Sequence, residues 1–123
     1  MRAASILAKC LLLGVLAVAV SAKRADTPVT VKGHVLDSAC AFTKGLDKPI
    51  SKQCATACAK AGSQLVILAE DGTIYWPIAD TTPSSGQNSK LLPFAGDKVI
   101  ASGKVYERGG SKAMVIATIE AAK

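Results

Sequence analysis

Hydrophobic and polar positions alternate over Val29–Asp37 (VTVKGHVLD). Val29, Val31, Gly33 and Val35 fall on one side, and Thr30, Lys32, His34 and Leu36 on the other. A period of two marks a half-buried strand, here with the valines inward. Residues 64–70 (QLVILAE) form a nearly continuous apolar run. Residues 73–78 (TIYWPI) return after Asp71-Gly72, a pair suited to a two-residue type I′ hairpin. Pro77 has no N–H for a ladder, so that strand ends there or lies at an edge. Alternation resumes over residues 97–107 (DKVIASGKVYE), with Val99, Ala101, Gly103 and Val105 on one face. A turn at Arg108-Gly109-Gly110-Ser111 leads into a last strand at 112–120 (KAMVIATIE).

Between the first two strands the period changes. Residues 52–61 (KQCATACAKA) are good helix formers, Ser51 is a fair N-cap, Gly62 a C′ residue, and Lys60 lies where the helix dipole favours a cation. The insertion at about 38–62 therefore holds one short helix, with residues 44–49 as loop and Phe42 as the expected hydrophobic anchor. Residues 79–90 (ADTTPSSGQNSK) read as an exposed loop, and 91–96 (LLPFAG) as a short apolar turn that plugs one end of the core. Five strands, a plug before the fourth, and glycines at 33 and 103 inside long strands predict a mainly β fold. The expected architecture is a five-stranded OB-like barrel with one helix inserted between strands 1 and 2; a small β-sandwich is the runner-up.

The N-terminus changes the picture of where the chain works. Arg2 and Lys9 precede an apolar run at 10–20 (CLLLGVLAVAV), and Val20-Ser21-Ala22 has the small residues that signal peptidase needs. The reading is a signal peptide at 1–22, cleaved after Ala22, with a mature domain at 23–123 that is exported (periplasmic or secreted). An uncleaved anchor is disfavoured because the run is short for a span, so no transmembrane segment is expected after cleavage. Cys10 opens the apolar run rather than following it, and it comes directly after Lys9, which excludes a lipoprotein cysteine. Losing Arg2 and Lys9 lowers the formal charge from +6 to +4 and leaves three of four cysteines. In an oxidising compartment an odd count implies one disulfide with a free thiol, an intermolecular bridge or a shared ligand. A disulfide-linked homodimer is thus left open.

The segments Gly33-His-Val-Leu-Asp37-Ser-Ala-Cys40, Cys54-Ala-Thr-Ala-Cys58-Ala-Lys-Ala-Gly62 and Phe94-Ala-Gly96-Asp-Lys-Val99-Ile-Ala-Ser-Gly103-Lys-Val105 resemble a group of small exported bacterial OB-fold-like proteins of unknown function. That group has a G-x-V-x-D-x-x-C start, a C-x3-C helix and an OB-like finish. The resemblance covers nearly all of the mature chain. It implies export and fold and no particular activity.

Three readings compete for Cys40, Cys54 and Cys58. In the first, Cys40 bonds Cys54 or Cys58 and staples the insertion to the end of the first strand. Closing a loop of about 15 to 19 residues is worth roughly 3 kcal/mol. A Cys54–Cys58 bridge along one helix face fits disulfide geometry poorly. In the second, the three sulfurs form a soft-metal site for Cu or Zn, with His34 or Asp37 as a fourth ligand. The spacing matches no zinc pattern, and His34 alternates away from the valine face. In the third, Cys54 in the first helical turn is a reactive thiol, yet no C-x-x-C and no general base accompany it. Asp37, at a strand end before Ser38, reads first as a cap or turn residue.

Scattered lysines and adjacent Tyr75 and Trp76, which point to opposite faces of a strand, give no basic stacking platform, so no nucleic-acid partner is expected. Tyr75 or Trp76 remains a candidate ligand face for an oligosaccharide or oligonucleotide. The sequence therefore reads as an exported small binding or structural domain and not an enzyme. Soft-metal binding through the three cysteines is the alternative.

Overall fold

The computed structural model describes residues 27–123. The leader at 1–22 and its cleavage site lie outside the described residues. The chain forms a closed barrel of five strands in the order β1-β2-β3-β5-β4. These are β1 (Val29–Asp37), β2 (Leu65–Ala69), β3 (Ile74–Pro77), β4 (Lys98–Arg108) and β5 (Ser111–Ala121). Neighbours are antiparallel except β3 and β5, which run parallel from Tyr75↔Lys112 to Pro77↔Met114. β3 ends at Pro77, as its missing N–H requires. The expected OB-like architecture is the one observed.

Two glycines let the barrel coil tightly. A Cβ at Gly33 would stand 2.4 Å from the Leu68 carbonyl oxygen on β2. At Gly103 the distance to the Val115 carbonyl oxygen would be 1.9 Å, beside the register shift between Ser102 and Gly103. Only a residue without a side chain allows such backbone approach. The interior is filled by Val31, Val35, Leu65, Ile67, Val99, Ala101, Met114 and Ile116. The plug is α3 (Asn88–Leu91) followed by a 3₁₀ turn (Leu92–Phe94). It drives the fully buried Leu91 into the same core.

The unbroken apolar run of β2 has a simple cause: the strand is covered on both faces. Leu65 and Ile67 face the barrel interior, whereas Val66 and Leu68 pack with Leu36 and Ala41 in a second cluster beneath the insertion. The same cover buries Leu36, which alternation alone had placed on the outer face of β1.

The insertion holds two helices rather than one. α1 (Ser38–Thr43) follows β1 directly, and α2 (Lys52–Lys60) lies where expected. α1 has only six residues and no apolar period, so its one signal is the Asp37 cap. Its buried residue is Ala41, and the expected anchor Phe42 is 66% exposed. The hairpins also differ from expectation. At 70–72 only Gly72 has positive φ, and its N–H donates to the Ala69 carbonyl, giving a three-residue loop. The two-residue form with two positive φ values occurs instead at Gly109-Gly110.

Candidate functional site

Polar chemistry gathers where β1, α1 and α2 meet. Asp37 closes β1 and caps α1. Its carboxylate accepts the Cys40 backbone N–H at 2.8 Å and the hydroxyl of Ser63. The residue is only 3% exposed, so a bare charge there would be costly. Burial pushes its pKa up, but the hydrogen bonds from Ser63 and Cys40 outweigh burial and hold it below the ordinary Asp value. Asp37 is a carboxylate at neutral pH. It takes part in none of the ion pairs found among the described residues. Asp37 is thus the cap that its place at a strand end before Ser38 predicts.

Ser63 reaches Asp37 because of how α2 ends. Gly62 turns the chain at φ +101°, the Ser63 N–H donates to the Cys58 carbonyl, and the Gly62 N–H donates to that of Ala59. This pair of bonds is a Schellman cap. Asn88 braces the same point from the plug side. Its amide donates to the Ser63 carbonyl at 2.6 Å, and its oxygen accepts the Leu65 N–H at 2.9 Å. At its other end α2 is fixed by the Ser51 cap, whose side chain accepts the Cys54 N–H at 3.1 Å. Lys52 pairs with Asp97 at 2.5 Å, and Gly96 packs so closely on Lys52 that a Cβ would lie 2.5 Å from its Cα.

This bracing aims the cysteines. Ala55 and Ala59 are buried against the barrel core. Cys54 and Cys58, one position back at the same spacing of four, therefore run along the side of the helix. Cys54 is exposed, Cys40 and Cys58 are half-buried, and all three are free thiols in this structure. Burial raises the Cys40 pKa, and the neighbouring Asp37 carboxylate raises it further. Burial likewise raises Cys58, with the adjacent Cys54 thiol and then Asp37 adding to it. Cys54 also acts on Cys40, and Lys44 opposes the rise at both Cys40 and Cys58. The four groups thus share one electrostatic neighbourhood. Beside it is a cavity of about 70 Å³ lined by Asp37, Cys40, Cys54, Ile50, Lys44 and Lys48 among others. As the side chains are turned here, no three His, Cys, Asp or Glu residues among the described residues are grouped to hold a metal ion.

His34 is not part of this group. It pairs across the sheet with Leu68 and Lys98. Three residues of strand, about 10 Å, separate it from Asp37, and the odd spacing turns it to the opposite face. Burial first, and Lys98 second, lower its pKa against the pull of Glu70, which pairs with Lys98. Its Nδ1 is buried without a hydrogen-bond partner among the described residues.

Tyr75 and Trp76 do face opposite ways. Tyr75 packs on the barrel core, with the Lys112 ammonium 6.0 Å from its ring centre. Trp76 joins the outer cluster, and the Phe42 ring lies 6.1 Å from it, tilted by 38°. Only Trp76 contributes to an aromatic surface, with Phe42 and with Tyr106, which is 42% exposed. Sequence reasoning passed over Ser63, Asn88, Lys44 and Lys48. Ser63 had a faint signal, since it directly follows the C′ glycine. Asn88 lay in a loop by composition and had none.

Comparison of the chain with protein-family models, curated proteins and solved structures finds no match.

Proposed function

We propose that this chain is an exported, non-catalytic binding module that captures a soft metal ion at the thiol cluster of α1 and α2. The observation that carries this reading is that α1 and α2 bring Cys40 and Cys54 to one cavity beside the buried Asp37, with Cys58 one helical turn beyond Cys54. Three sulfurs drawn from two helices are the donor set that Cu or Zn favours. A catalytic thiol fits less well. The candidate nucleophile Cys54 is exposed, and His34, the sole histidine, is aimed elsewhere and leaves it without a general base. A staple through Cys40 remains the competing use of two of the thiols.

Intact mass of the full chain, native and denatured, with and without thiol alkylation, separates these uses. The metal reading predicts three alkylatable mature cysteines after denaturation and a native mass that carries metal. A two-hydrogen deficit with one alkylated cysteine and no metal would establish the staple instead.

A second reading has its own observation. Phe42 of α1, Trp76 of β3 and Tyr106 of β4 line two surface hollows that share Trp76, beside Lys112 and Arg108. Exposed rings of this kind stack on sugar rings, so an oligosaccharide is the ligand class for that surface. A glycan array with no signal, or with equal signal for Trp76→Ala, would remove it.

A further inference from the structure

Resting on the soft-metal reading, we infer that the thiol cluster is a three-coordinate site for monovalent copper, with Cys40, Cys54 and Cys58 as the complete ligand set. The choice turns on the number of donors the fold supplies. Cys54 and Cys58 are four residues apart on α2, so their Cβ atoms lie about 5–6 Å apart, and both sulfurs reach one ion. Cys40 comes from α1 and lines the cavity together with Cys54. Each cysteine turns about a single side-chain torsion with three staggered wells. Grouping the sulfurs calls for rotation of these side chains from an arrangement in which no three ligands are clustered among the described residues, on helices whose ends are fixed by Asp37, Ser51 and the Schellman cap.

A fourth protein ligand is missing for a physical reason. Both Asp37 oxygens are already engaged, one with the Cys40 N–H and the other with Ser63. That carboxylate is thus committed to holding α1 and Ser63 in place, and turning it toward a metal would loosen both bonds. His34 faces the other side of β1, among Lys98, Glu70 and Leu68. Closed zinc sites take four protein ligands in a tetrahedron. Copper in its monovalent state is satisfied by three thiolates, which are among its preferred donors. Each thiol that becomes a ligand releases one proton, so one Cu⁺ displaces three. The resulting negative charge is opposed by the Asp37 carboxylate and offset by Lys44 and Lys48, all of which line the same cavity.

The test is an anaerobic titration of the reduced full chain with Cu(I), in competition with the chromophoric chelator bicinchoninate, and a parallel titration with Zn²⁺. Wild type is expected to withdraw one Cu(I) per chain from the chelator and to release bound Zn²⁺ when Cu(I) is added. Cys40→Ser, Cys54→Ser and Cys58→Ser should each abolish the competition while keeping the far-ultraviolet dichroism of the barrel. His34→Ala should compete as well as wild type. Zn²⁺ held one to one through the three thiols and not displaced by Cu(I) would overturn the copper assignment and leave the soft-metal reading standing. Unchanged competition by Cys58→Ser, or its loss in His34→Ala, would overturn the three-cysteine set. Retention of neither metal would overturn both readings.

Discussion

The barrel and its insertion are built by different means. The barrel is closed by strand ladders and filled by aliphatic side chains, and its tightest points are backbone-on-backbone contacts at Gly33 and Gly103. The insertion lies on that barrel through two buried alanines of α2, one of α1 and a set of polar links: Asp37 to Ser63, Asn88 to Ser63, and Lys52 to Asp97. The barrel has no need of a buried carboxylate or of three thiols. Strand ladders and aliphatic packing account for its closure, and Asp37, the buried polar residue at its end, caps the first helix of the insertion. The chemistry is therefore to be sought in the insertion.

Substitutions that separate the two regions should differ in size. The largest loss is expected for Gly103→Ala, which places a Cβ against a carbonyl oxygen that belongs to the neighbouring strand and cannot swing aside. The expected cost is about 3 kcal/mol, read from urea unfolding. A cost below about 1 kcal/mol would mean that β4 and β5 relax more easily than the ladder implies. Asp37→Ala comes next, at about 2 kcal/mol, because it removes a helix cap and leaves the Ser63 hydroxyl and Cys40 N–H without their acceptor. Ser63→Ala should cost less than Asp37→Ala. If the two costs were equal, the cap on α1 would contribute nothing. Phe42→Ala should shift stability by no more than about 1 kcal/mol, since the ring is largely exposed and touches mainly Trp76. Smallest of all is the triple replacement Cys40→Ser, Cys54→Ser, Cys58→Ser in reduced, metal-free protein, expected within about 0.5 kcal/mol. A large loss there would make the cysteines structural and narrow the contrast between the two regions.

The same contrast explains what could be read from the chain. Strand positions followed from local alternation, which a half-buried sheet enforces residue by residue, and β1 runs over the residues its pattern marked. α2 was legible from Ser51 and Gly62, because caps are local chemistry. The barrel was legible from two glycines inside long strands, whose only sensible use is close approach. What could not be read depends on contacts distant in sequence. Leu36 looked outward until a helix covered it. Phe42 looked like an anchor until Ala41 took that place. Asp37 was visible as a cap, but its partner Ser63 is 26 positions away, and Asn88 a further 25 beyond Ser63. The cysteines were visible as a set, while their common neighbourhood depends on that same long-range bracing.

The most direct test of the claim that the insertion is the working end is a two-dimensional ¹H–¹⁵N spectrum of the reduced full chain before and after one equivalent of Cu(I), an ion that is diamagnetic. Shifts confined to residues 37–63 and the flanking plug, with the β3 and β4–β5 hairpin amides unmoved, are the predicted result. An unchanged spectrum, or shifts centred on Trp76 and Tyr106 with Cys40, Cys54 and Cys58 unmoved, would contradict it.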